Sequence, residues 1–211
     1  MKRIGVMGGT FNPIHNGHLA VARAAKEQFS LEKVLFMPSG VPYMKDQRAV
    51  LPIQTRCEMT ALAIRDISGF ELSRLEAADA AQKRNTYTCD TLRKLKTSAP
   101  GAAYYFIMGA DSLYAMEDWK NPALIFQSCT VLAAVRREEG TDEPQRDRLR
   151  KQADYLREKY SASIEILEFA AMDVSSTQIR ERVRRGESLQ GLVPDTVEAY
   201  IRQNRFYEKS S

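Results

Sequence analysis

Arg3-Ile4-Gly5-Val6-Met7-Gly8-Gly9-Thr10-Phe11-Asn12-Pro13-Ile14-His15-Asn16-Gly17-His18 reads in three parts. Arg3–Met7 is a short apolar run and predicts a buried strand. Gly8-Gly9 closes it, where glycines let the backbone approach a ligand and offer amide hydrogens to phosphate oxygens. Asn16 predicts the N-cap of a helix through His18, Leu19, Ala22 and Ala25 to Phe29, and a helix N-terminus favours an anion. The turn is neither a GxxxxGK[ST] loop nor a GxGxxG fingerprint.

The same alternation runs outward along the chain. Strands are predicted at Val34–Met37, Phe70–Ser73, Ala103–Met108, Thr130–Val135 and Ile164–Phe169. Helices are predicted over Ile53–Ile67, from Thr86/Thr88 through Leu92 and Leu95, over Gln145–Lys159, Ser176–Arg185 and Pro194–Gln203. A loop rich in turn formers spans Ser39–Pro52. This pattern predicts an α/β fold, a doubly wound parallel sheet with helices on both faces. Crossovers should be right-handed, with the ligand beyond the carboxyl ends of the strands.

The 211 residues suit one domain, with 31 Lys+Arg against 27 Asp+Glu and a formal net charge of +4. The hydrophobic fraction of 44% and charged fraction of 27% exclude a disordered chain. No apolar window reaches the ~18 residues of a membrane span, and the N-terminus has no signal-peptide h-region. Cys57, Cys89 and Cys129 are scattered and odd in number, which predicts reduced thiols in the cytoplasm. Charges of both signs alternate from Arg136 to Lys159, the pattern of a solvated face; nucleic acid is not an expected partner.

Three constellations carry the chemistry. Both histidines of the chain, His15 and His18, lie three residues apart at the anion-binding end of the first helix, on one face of the turn. Two histidines alone do not supply the third and fourth ligands of zinc, so no metal site is expected from them. Val174-Ser175-Ser176-Thr177-Gln178-Ile179-Arg180 places hydroxyls at a helix start and an arginine one turn in, a pattern that suits a cap or a phosphate. The third set is Pro42-Tyr43-Met44-Lys45, Thr86-Tyr87-Thr88, Gly109-Ala110-Asp111-Ser112 and Trp119, each after a strand or at a helix start.

The first stretch resembles the signature of the nucleotidyltransferase superfamily, with its His/Thr-x-Gly-His motif. The second resembles that superfamily's ISSTxIR motif, with Val174 replacing isoleucine. From Ile4 to Tyr207 the order of motifs is similar to the bacterial nicotinate-nucleotide adenylyltransferase family. The resemblance implies a Rossmann-like nucleotidyltransferase fold over residues 1–211, with a small C-terminal helical part at about 174–207. It implies transfer of AMP from ATP to nicotinate mononucleotide, with release of pyrophosphate, in NAD biosynthesis. Mg2+ would arrive with ATP, and the partners would be these small molecules, neither membrane nor nucleic acid, with a homo-oligomer compatible.

The resemblance further implies catalytic roles for His15, His18, Lys45 and Arg180. Gly8, Gly9, Thr10, Phe11, Gly109, Asp111, Ser176 and Thr177 would contact ATP together with His15, His18 and Arg180. Lys45, Thr86, Tyr87, Thr88, Asp111, Trp119 and Arg136 would contact the acceptor. Asn12 stands where the family commonly has Asp, Met44 where it often has His, and residues 80–85 replace a short glycine turn. Transfer to another phosphate acceptor, such as nicotinamide mononucleotide or phosphopantetheine, and a non-catalytic nucleotide sensor are the alternatives.

Overall fold

The computed structural model describes residues 1–40, 50–82, 85–137, 143–170 and 172–208. Among them, β1 (Lys2–Gly9), β2 (Lys33–Pro38), β3 (Phe70–Leu72), β4 (Ala102–Gly109), β5 (Thr130–Arg137) and β6 (Ile164–Ala170) form one sheet. Its order is β3-β2-β1-β4-β5-β6, and every pairing is parallel. The strands are rich in β-branched and aromatic residues and buried on both faces, as an all-parallel sheet requires.

Period-two alternation sorts their side chains between two cores. On β1, Met7 faces one core while Ile4 and Val6 face the other. On β5, Leu132 and Ala134 oppose Val131, Ala133 and Val135 in the same way. The first core is covered by α1 (Asn16–Gln28), α2 (Ile53–Ile64), α8 (Ser176–Arg184) and α9 (Asp195–Gln203). The second lies under α4 (Thr88–Ser98), α5 (Ala110–Tyr114), α6 (Pro122–Ser128) and α7 (Glu143–Tyr160). α3 (Leu75–Ala81) lies between β3 and α4 in the chain.

The strand order reverses between β1 and β4, so connections leave their carboxyl ends in opposite directions and open a crevice there. Gly8-Gly9 and Gly109 stand at those two ends. All three cysteines are free and buried. No helix among the described residues is long and apolar enough to cross a membrane.

Several expectations need correction. The N-cap of α1 is His15, in an extended conformation, not Asn16. Asn16 is the first helical residue; its amide donates to Leu192 O and its side chain to Gly191 O, both at 2.9 Å. α2 ends at Ile64 rather than Ile67. α3, α5 and α6 were not expected. The N-cap of α3 is Arg74, which makes no side-chain cap, so the usual start signal is missing. α6 did carry a signal: Asn121 caps it by accepting from Leu124 N, and Pro122 takes the first turn. The stretch 41–49, which contains Pro42-Tyr43-Met44-Lys45, lies outside the described residues.

Candidate active site

The turn after β1 is built around a buried ring. Phe11 adopts a left-handed backbone (φ 47°) and is 2% exposed. Its ring meets His18 edge-on at 5.0 Å and Phe36 at 6.1 Å. A Cβ on Gly9 would lie 2.8 Å from Phe11 Cε1, so Gly9 is demanded by Phe11 itself. The Phe11 side chain is therefore core. A Cβ on Gly8 would meet only Phe106 at an ordinary 3.7 Å, and one on Gly109 would meet nothing within 4 Å. Neither glycine has a positive φ, so the open space above them is room for something outside the chain.

The two imidazoles stack, with ring centroids 3.6 Å apart and 26° between planes. His15 N donates to His18 Nδ1 at 3.2 Å. An accepting Nδ1 assigns the proton of neutral His18 to Nε2. Gly17 packs closely between His15 and Val174: a Cβ there would sit 2.9 Å from Val174 Cγ1 and 3.1 Å from His15 Nδ1. This is a packing reason for glycine in the His-x-Gly-His pattern.

His15 is 8% exposed, and its Nδ1 has no hydrogen-bond partner among the described residues. Burial pulls its pKa down from 6.5 to about 4. The unfolded chain thus binds a proton between these values that the folded chain refuses, so stability is full above pH 6.5 and is lost as pH falls toward 4. The loss should approach about 3 kcal/mol at pH 4. Urea unfolding at pH 7 and at pH 4.5 checks it, and His15→Gln should flatten this part of the profile.

α8 closes the other side of the turn. Ser175 caps it, accepting from Gln178 N at 3.1 Å. Ser176 Oγ donates to Pro13 O at 2.8 Å, and Arg180 donates to Asn12 O at 2.9 Å and Thr177 Oγ1 at 3.1 Å. The hydroxyls expected to meet phosphate are thus engaged with the turn and with Arg180. Arg180 Nε remains buried without a partner among the described residues. Asn12 is 4% exposed, and its Oδ1 accepts from Leu51 N at 3.2 Å and Tyr207 Oη at 2.8 Å. Asn12 is thus a neutral hub joining the turn after β1 to the residues before α2 and to the C-terminal segment.

The crevice continues into a cleft of about 410 Å³. Gly8, Gly9, Thr10 and His18 line it together with Thr86, Tyr87, Thr88 and Trp119, and Phe106 lies against both Gly8 and Trp119. Trp119 meets Phe106 edge-on at 6.3 Å, and α4 begins at Thr88 with Tyr87 as its N-cap. Ser112 lines the cleft, while the neighbouring Asp111 is exposed in the first turn of α5. Arg136 lies in β5 opposite Phe169; its side chain, like Lys45, is outside the described part.

Two residues escaped the sequence reading. Arg56 of α2 is 1% exposed and donates to Leu51 O, Thr10 O, Ser39 O and Gly40 O at 2.7–3.1 Å. Glu76 of α3 lines the cleft, accepting from Gly40 N at 3.2 Å and Thr91 Oγ1 at 2.9 Å. Burial pushes the Glu76 carboxyl above its ordinary range. Nothing in a one-dimensional pattern distinguished either from an exposed helix charge.

The fold and this crevice define a nucleotidyltransferase, and residues 6–182 match the cytidylyltransferase-like family, to which the chain belongs. A relative from Lachnoclostridium phytofermentans, named nicotinate-nucleotide adenylyltransferase, is 40% identical across 98% of this chain and 100% of its own length. One of the same name from Clostridium botulinum is 36% identical across 99% and 100%. Within the family the chain stands with the nicotinate-nucleotide adenylyltransferases. The Plasmodium falciparum nicotinic acid mononucleotide adenylyltransferase complexed with NaAD shares the fold, with a TM-score of 0.76 at 17% identity and 98% of each chain covered. The same enzyme complexed with APC gives a TM-score of 0.75 at 16% identity, again over 98% of each chain.

Proposed function

We propose that the chain transfers AMP from ATP to nicotinate mononucleotide, forming nicotinate adenine dinucleotide and pyrophosphate, a step of NAD biosynthesis. The observation that carries this reading is one continuous cleft with a phosphate-suited end at Gly8, Gly9 and His18 and a ring-suited end at Tyr87 and Trp119. Relatives named for this reaction, matched over nearly the whole chain, support it.

The acceptor phosphate attacks the α-phosphorus of ATP in line. A phosphorus–oxygen bond forms to the acceptor, and the bond to the bridging oxygen breaks, its electron pair leaving with pyrophosphate. The nucleophile is already an anion, so the protein's work is positioning and charge stabilisation. His18 donates from Nε2 to phosphoryl oxygens, and His15 supports it through the stacked ring face. Amides around Gly9–Phe11, in the turn between β1 and α1, hold phosphates. Arg180 and Lys45 offset charge on the leaving pyrophosphate and the acceptor phosphate, with Thr177 holding Arg180 and Ser176 tying α8 to the turn at Pro13.

At the other end Trp119 stacks on the pyridine ring. The first amides of α4, after Thr86 and Tyr87, bind the nicotinate carboxylate, with Thr88 beside them. An amide NH₂ facing those donors would leave groups unpaired, which disfavours nicotinamide. Asp111 accepts from ribose hydroxyls next to Gly109, and Arg136 borders the acceptor.

The family uses a divalent metal with its nucleotide; we assign Mg2+, held by triphosphate oxygens and water, to neutralise charge on those oxygens. We also propose that residues 1–211 work as one unit in the cytoplasm, on small molecules, not nucleic acid. Purified chain with ATP and nicotinate mononucleotide should release pyrophosphate and form the dinucleotide. A clear preference for the amide acceptor, or no pyrophosphate release, overturns the assignment.

A further inference from the structure

The lip of the cleft carries a charge that this mechanism does not use. Lys120 follows Trp119 and lines the same cleft as Thr86 and Tyr87. Its Nζ lies 4.1 Å from the centroid of the Tyr87 ring and donates to Asp90 Oδ2 at 3.1 Å. Asp90 also accepts from Arg93 at 2.8 Å. Two cations therefore share one carboxylate, and the cluster keeps a net positive charge. The N-terminus of α4 stands beside it and adds to that potential. The hydrogen bond from Asp90 holds Lys120 above the ordinary lysine range, so its ammonium is charged throughout the working range. The acidic group on the cleft wall, Glu76, has its oxygens committed to Gly40 N and Thr91 Oγ1.

We propose that Lys120 is a specificity-determining residue for the acceptor: from its seat over Tyr87, its ammonium favours a pyridine ring bearing a carboxylate over one bearing an amide. This rests on the adenylyl-transfer reading above. A carboxylate gains a full charge–charge attraction from a nearby cation, whereas a neutral amide gains only a dipole term. The Lys120 side chain is 51% exposed, so water and salt screen the effect and keep it moderate.

The test is the ratio of kcat/KM for nicotinate mononucleotide to that for nicotinamide mononucleotide, with calorimetric Kd values for both. In Lys120→Met the ratio should fall about 3–10-fold, mainly through KM and Kd of the acid, the scale of a partly screened ion pair. Lys120→Arg, which keeps the charge, should retain the wild-type ratio. Raising salt should erode the ratio in the wild type and not in Lys120→Met. An unchanged ratio in Lys120→Met, or an equal loss for both acceptors, overturns the proposal while leaving the enzyme reading intact. Wild-type protein that joins neither acceptor to AMP overturns that reading, and this proposal with it.

Discussion

His18→Ala lowers kcat by about 10²–10³-fold, the scale of losing one preorganised donor to a developing oxyanion. The argument rests on how completely the ring is fixed before any substrate arrives. One face stacks on His15 at 3.6 Å, an edge meets Phe11 at 5.0 Å, and Nδ1 is tied to His15 N. No reorganisation is left for the reacting step, so the Nε2 proton acts at full effect. KM for ATP should change less than kcat, because the glycine turn and the start of α1 still hold the ground-state phosphates. The amide of Gln reaches the Nε2 position and that of Asn the Nδ1 position, so His18→Gln should retain more turnover than His18→Asn. Steady-state pyrophosphate release in the three variants checks this. Wild-type kcat in His18→Ala would remove the imidazole from the mechanism.

The local half of this site was legible in the sequence because its residues lie close in the chain. Gly8-Gly9 through His18 is one turn between a strand and a helix, and the two imidazoles do meet there, although His15 is the extended N-cap and not a helical residue. Thr86-Tyr87 and Trp119 were grouped in the sequence as features following strands or opening a helix, and they do line one cleft. What could not be read was which side chains turn inward. Phe11, grouped with the phosphate loop, buries its ring under His18. Asn12 looked like a polar turn former that had merely lost a charge. It is a hub whose partners Leu51, Arg180 and Tyr207 come from three distant parts of the chain. Ser176, expected at phosphate, donates to Pro13 O, 163 positions away. Each of these depends on a long-range contact, which periodicity does not encode.

Arg56→Met should lose about 3–5 kcal/mol of stability, because the buried donor of a hydrogen-bond network is removed while its acceptors stay in place. The guanidinium is 1% exposed and has no carboxylate partner among the described ion pairs; it is solvated by main-chain carbonyls. Those carbonyls belong to Thr10 in the turn after β1, Ser39 and Gly40 after β2, and Leu51 before α2. Glu76 then fixes the other side of Gly40 through its amide. A thioether offers no donor, so four buried carbonyl contacts lose their partner at once, each worth about 1 kcal/mol or more. Lys keeps the charge but offers a compact tetrahedral head in place of a planar fork, and cannot span three chain segments. Arg56→Lys should therefore fall between the wild type and Arg56→Met in urea midpoint. Because the same guanidinium ties the phosphate turn to the segment after β2, both variants should raise KM for ATP and for the acceptor together, under conditions where they remain folded. A midpoint for Arg56→Met within about 1 kcal/mol of the wild type would show that these loops hold their places without it. A rise in KM for only one substrate would mean that Arg56 serves one end of the cleft and does not couple the two.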